Sequence, residues 1–159
     1  MSRLGDAIPV VRLRRLAPRD WRIAQPLVRQ FYAHFGYRYA ANAQGGAFRQ
    51  LLDDPRLGLA WLIEADGEAA GYVALALGWS IEYGGRVAVV DELFVRADLR
   101  GRGIGRAALR LVKGAARRQR IRRLFLEVES YNRAAKRLYA ALGFLDTRRT
   151  LMTAPLVEL

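Results

Sequence analysis

The chain has 159 residues, 52% of them hydrophobic, with 27 basic against 15 acidic side chains, one histidine and no cysteine. The apolar share excludes a disordered chain, and the lack of cysteine excludes disulfide scaffolds, cysteine nucleophiles and thiolate metal sites. No apolar run reaches the roughly 20 residues that span a bilayer, and Met1-Ser2-Arg3-Leu4-Gly5-Asp6 has no signal-peptide core, so a cytoplasmic protein without a membrane partner is expected.

No repeat, low-complexity tract or linker divides the sequence, so residues 1–159 are read as a single domain, with 1–9 as a candidate disordered lead-in. The apolar–basic alternation of Val10–Leu16 predicts a first strand. Asp20 opens a helical pattern to about Phe35, with Pro26 kinking or restarting it. Ala47–Leu52 reads as a short second helix, ended by Asp53-Asp54-Pro55. From Leu57 the period becomes that of strands. Leu57–Glu64 and Ala69–Trp79 flank the Asp66-Gly67 hairpin turn, and Val87–Val95 follows the turn Tyr83-Gly84-Gly85-Arg86. A helix is predicted over Ile104–Gln119, with Ile104, Ala108, Leu111, Val112 and Ala115 on its buried face. Ile121–Val128 reads as a strand, Asn132–Leu142 as a helix, and Phe144–Leu156 as one or two closing strands. The sum is an α+β fold with helices on both faces of the sheet. Phe31 and Trp79 are read as packing residues, and His34 as a surface or packing residue.

Between Arg96 and Arg123 stand eleven basic residues and one acid, Asp98, which is most of the chain's net charge of +12. Such a cluster suits phosphate. It surrounds the turn Arg100-Gly101-Arg102-Gly103-Ile104-Gly105-Arg106, which fits a small phosphorylated ligand better than a nucleic acid duplex. Glycines allow close backbone approach, and the helix that starts there offers free N–H groups and a positive dipole end. The spacing is neither the Rossmann fingerprint, which needs G-x-G-x-x-G and a later acid, nor a P-loop, which needs Gly-Lys-Ser/Thr.

Arg100-x-x-Gly103-x-Gly105 after Leu93-Phe94-Val95 resembles the acyl-CoA signature of the GNAT family of N-acetyltransferases. A second family signature follows in Leu126-Glu127-Val128 and Asn132-x-x-Ala135-x-x-x-Tyr139-x-x-Leu142-Gly143-Phe144. The resemblance implies a mixed, mostly antiparallel central sheet, splayed where acetyl-CoA binds. It places the pantetheine arm on Leu93, Phe94 and Val95 and the pyrophosphate on the N–H groups of Arg100, Gly101, Arg102, Gly103, Ile104, Gly105 and Arg106. Asn132 would touch the CoA arm, and Tyr139 would act as general acid toward the leaving thiolate. Tyr139 also belongs to an apolar stripe with Ala135, Leu138 and Leu142, which packing alone would explain.

The acceptor amine must lose a proton before attack. Glu92 and Asp91 are equal candidates for the base, and Glu127 stands behind them. Adjacent strand residues point to opposite faces, so Asp91 and Glu92 share the cleft only if a bulge intervenes. Tyr32, Tyr37, Glu82 and Tyr83 are candidates for the acceptor pocket. No metal site is expected. The expected activity is direct acetyl transfer from acetyl-CoA to a small or peptide amine in a ternary complex, with a homodimer as the family's common assembly. Two rival readings stand beside it: a CoA-binding domain without turnover, and a nucleic-acid module using Arg96–Arg123, the less favoured of the two.

Overall fold

A computed structural model describes residues 8–157, which divide after Glu127 into two compact units. All but two residues of the lead-in expected over residues 1–9 lie outside the described residues.

The first unit is built on a five-stranded sheet in the order β1-β2-β3-β4-β5, comprising β1 Val11–Arg15, β2 Gly58–Ala65, β3 Glu68–Ser80, β4 Gly85–Val95 and β5 Arg123–Phe125. The first four strands run antiparallel through successive neighbours, and β5 joins β4 in parallel. The mixed, mostly antiparallel sheet is thus as expected. Helices α1 (Trp21–Phe35), α2 (Gln44–Asp53) and α3 (Ile104–Arg118) complete this unit.

Alternation along the strands sorts the core into two sides. Ala60, Leu62, Tyr72, Ala74 and Phe94 turn toward α1 and α2, where they pack with Leu27, Val28, Phe31 and Phe48. The intervening positions, among them Ile63, Val73 and Leu75, are buried on the other face, where α3 packs on β1 and β4. Asp20 fixes the entry to α1: its carboxylate accepts the Ala17 N–H at 2.8 Å and an Arg14 guanidinium N–H at 3.2 Å. These bonds, the backbone one foremost, hold its pKa below the ordinary carboxylate value. The helix continues through Pro26 without a break.

Four expectations need correction. On α3 the buried residues include Leu109 in place of Leu111, which is 41% exposed. At about 100° per residue the buried arc spans about 140° from Ile104 to Leu109, and Leu111 falls about 20° outside it. β5 has three residues rather than eight, because it pairs only with Val87–Val89 before β4 bulges. Trp79 is not a packing residue, since its side chain is 77% exposed at the end of β3.

The fourth concerns the second unit, which contains α4 (Arg133–Ala141) and an irregular segment after it. No strand forms over the described residues 144–157. Arg148 there adopts a positive φ of 54° and donates its N–H to Asp146. That local turn interrupts the extended run that alternation predicts. A strand also needs a partner's main chain, which alternation alone does not supply.

Candidate active site

β4 is paired with β3 along its whole length, but with β5 only as far as Val89. From Val90 to Val95 its second edge is therefore free of β5. The Arg96 N–H donates to the Ala70 carbonyl at 2.8 Å. By antiparallel alternation the main chains of Phe94 and Glu92 then point to β3, and those of Leu93 and Val95 point into the gap. The Val95 carbonyl confirms this direction, because it accepts the Arg100 Nε–H at 2.8 Å. Two of the three residues expected along a cofactor arm thus turn main-chain groups away from β3, with the Val95 carbonyl taken by Arg100. Phe94 does not: its ring is buried and its main chain belongs to the β3–β4 ladder.

The condition set for Asp91 and Glu92 is met. Ala74 pairs with Glu92 and Leu75 with Val90, leaving Asp91 as the extra residue of a β-bulge. A bulge turns successive side chains toward one side. Glu92 is held there by two phenols: Tyr32 donates to Oε1 at 2.7 Å and Tyr72 to Oε2 at 2.8 Å. Burial raises the Glu92 pKa, the two hydrogen bonds oppose that rise, and the Asp91 charge reinforces it. Burial and the neighbouring carboxylate push both tyrosines well above their ordinary value, so they remain donors. Asp91 is open to solvent by surface area, yet the surrounding chain desolvates its carboxyl enough to raise its pKa.

Tyr72 escaped the sequence reading, where it sits in an apolar run. A phenol at the centre of a buried strand was the available signal, since a buried hydroxyl requires a partner. Tyr32 joins an aromatic group at the end of α1. Its ring is 5.4 Å from that of Tyr39, while Tyr37 stacks on Phe35 at 5.5 Å. Glu82 and Tyr83 are not brought to this group. They lie on the β3–β4 turn, about 20 Å along β4 from Glu92, where Tyr83 packs on Phe125 beneath the Arg123 guanidinium. Glu127 is exposed two residues beyond β5 and takes no part in the hydrogen bonds around Glu92.

The turn after β4 is built for close approach. Gly101 and Gly103 have φ of +77° and +78°, a conformation that side chains strain. A Cβ at either position would meet nothing within 4 Å, and one at Gly105 would meet only a Val95 methyl at 3.9 Å. Gly103 is the N-cap of α3, with no side-chain cap, so the first-turn N–H groups of Ile104, Gly105 and Arg106 have no partner within the helix. The Ile104 side chain is core, 1% exposed, and contributes only its main chain here. Arg102 and Arg106 are exposed beside the turn. Arg100 folds back over Phe94 and stands 3.2 Å from the His34 ring nitrogens, which together with burial lowers the His34 pKa. Arg96 is paired with Asp98 at 2.7 Å. A ligand with a diphosphate and an extended amide-bearing arm fits this donor set: charge and N–H groups at the turn, strand-like main chain at the free edge.

In the second unit, Asn132 caps α4 by accepting the Ala135 N–H at 3.0 Å. Tyr139 is half-buried, with its ring 5.8 Å from that of Phe144, and burial raises its pKa. Among the described residues there is no group of His, Cys, Asp and Glu suited to a metal ion, and no helix long and apolar enough to cross a membrane.

The chain thus has an open, mixed five-stranded sheet with an interrupted β4–β5 ladder and an uncapped glycine turn before α3. Residues 13–144 match the model of the acetyltransferase (GNAT) family, and the chain belongs to that family. An uncharacterized N-acetyltransferase of Methanocaldococcus jannaschii, MJ1207, is 38% identical over 87 residues, 53% of this chain but only 38% of that protein. The uncharacterized N-acetyltransferase YhfO of Bacillus subtilis is 29% identical over 133 residues, covering 83% of this chain and 88% of YhfO. Among solved structures, an integron cassette protein from the mobile metagenome of Cole Harbour salt marsh is 35% identical, with a TM-score of 0.81 over 92% of this chain and 91% of its own.

Proposed function

We propose that the protein transfers an acetyl group from acetyl-CoA directly to a primary amine, with Glu92 as the base. The observation that carries this reading is the bulge at Asp91, which breaks the strict alternation of β4 at two successive carboxylates just before Leu93, whose main chain turns away from β3. The family match spans both units, which supports treating them as one catalytic domain.

Acetyl-CoA supplies an activated acetyl thioester when bound. The first-turn N–H groups of α3, with Arg102 and Arg106, hold its diphosphate, and the main chains of Leu93 and Val95 hold its arm. The Leu93 N–H donates to a carbonyl oxygen as it gains negative charge. Glu92 is the better base because burial raises its basicity while Tyr32 and Tyr72 fix its oxygens in place. Asp91, at the solvent side, attracts a cationic acceptor and raises Glu92 further. The aromatic rings around Tyr32 suit an ammonium group. Tyr139, assigned by its place in the family signature, returns a proton to the departing sulfur, and Asn132 contacts the arm through the amide N–H groups that its capping role leaves available.

Release of free thiol from acetyl-CoA against a pooled amine panel tests the reading. Turnover that depends on Glu92 supports it. Calorimetric heat with CoA but no turnover on any amine would instead mark a binding domain without catalysis. Tyr139→Phe is expected to lower turnover about 10- to 100-fold with CoA affinity nearly unchanged. Equal turnover in wild type and variant would remove Tyr139 from the reaction.

A further inference from the structure

The opposite end of the sheet contains a cavity of about 690 Å³, a size typical of small-molecule sites. Arg15 of β1, Arg56 before β2, Leu59 of β2, Leu77 and Trp79 of β3, and Arg86 of β4 form most of its wall. No carboxylate lines it. Arg56 is engaged by Asp54 at 2.8 Å, but neither Arg15 nor Arg86 has a carboxylate partner among the described residues. The Arg15 guanidinium rests 5.2 Å from the Trp61 ring centroid, which orients it. Trp79 stands directly across from Arg86 in the β3–β4 ladder. Arg122 adds charge at the rim, since a Cβ at Gly85 would lie 3.1 Å from its Nε and 3.9 Å from the Trp79 ring.

We propose that this cavity is a nucleotide site, taking phosphate on Arg15 and Arg86 and a base on the exposed indole of Trp79. Guanidinium groups without carboxylates bind phosphate through paired N–H donors. An indole left 77% exposed offers a planar face that a nucleobase covers by stacking, a contact an acidic peptide would leave unused. Leu59 and Leu77 supply the apolar floor beneath that contact. A free nucleotide and a nucleotide within a single-stranded RNA share this chemistry. The cavity lies about 20 Å along β4 from Glu92, so the proposal stands independently of acetyl transfer.

Equilibrium dialysis of the full chain with labelled ATP, in saturating CoA so that the glycine turn is blocked, tests the site. Retention of ATP is expected, weakened about tenfold by Arg86→Ala and by Trp79→Ala, and largely restored by Trp79→Phe. Both positions are exposed, and an unchanged melting temperature would show that the variants fold. A single-stranded oligoadenylate that displaces ATP at lower nucleotide concentration identifies RNA as the source of the ligand, and weaker displacement identifies the free nucleotide; both support the site. Three results overturn it: no ATP retained at millimolar concentration, retention indifferent to Trp79→Ala, or a polyglutamate peptide displacing ATP better than the oligonucleotide does.

Discussion

At its C-terminal end β4 carries Asp91, Glu92 and a free stretch of main chain beside the glycine turn. At its N-terminal end the same strand carries Arg86 opposite Trp79, with no carboxylate in the cavity wall. The basic segment Arg96–Arg123 touches both ends but is not one surface. Helix α3 spans about 22 Å between them, so Arg96, Arg100, Arg102 and Arg106 lie at one end and the arginines from Arg117 onward at the other. Two of the first group are already occupied, Arg96 by Asp98 and Arg100 by the Val95 carbonyl. Charge that looks continuous in a sequence is thus partitioned by the helix that carries it.

Breaking one end should leave the other intact. Gly103→Val places a branched side chain at a positive φ in the cradle, and CoA binding by calorimetry is expected to fall more than about 100-fold, while ATP retention at the Trp79 cavity persists. Retained CoA affinity would reject the cradle. Glu92→Gln should lower turnover by about 10²- to 10⁴-fold with little change in CoA affinity.

A finer cut separates the two carboxylates. The Asp91 charge raises the Glu92 pKa, so Asp91→Asn should move the acidic limb of the turnover–pH profile to lower pH. The Tyr32 hydrogen bond lowers it, so Tyr32→Phe should move the limb to higher pH. Shifts in the same direction would exclude Glu92 as the titrating base. The smallest effect belongs to a site at neither end. Asp20→Ala should cost about 1–3 kcal/mol at neutral pH by denaturant unfolding. Because the folded pKa of Asp20 is lowered, this contribution is present above the unfolded value and disappears as pH falls through the folded one. The difference between variant and wild type should therefore shrink in acid.

Strands β2 to β4 and helix α3 were legible because periodicity and turn residues such as Asp66-Gly67 act locally. The glycine turn was legible because its spacing dictates backbone conformation. Tyr72 was not, since its role comes from a cross-strand partner 20 residues away. The bulge that unites Asp91 and Glu92 was foreseen as a condition, but register against β3 decides it, and no residue of β4 encodes it alone. Trp79 and the segment after α4 failed for one reason: an apolar residue announces a preference for burial, while the neighbours that would bury it are set by the whole fold.

The gap beside Leu93 and Val95 is also a sheet margin left unpaired by β5, and such margins invite strand addition from any passing chain. Here Arg100 lays a charged side chain over Phe94 and ties it to the last carbonyl of that margin. Its position makes it a gatekeeper of that margin. Replacing it with a small apolar residue would uncover a docking template for fibril-like self-pairing, so the side chain that closes this margin also protects solubility.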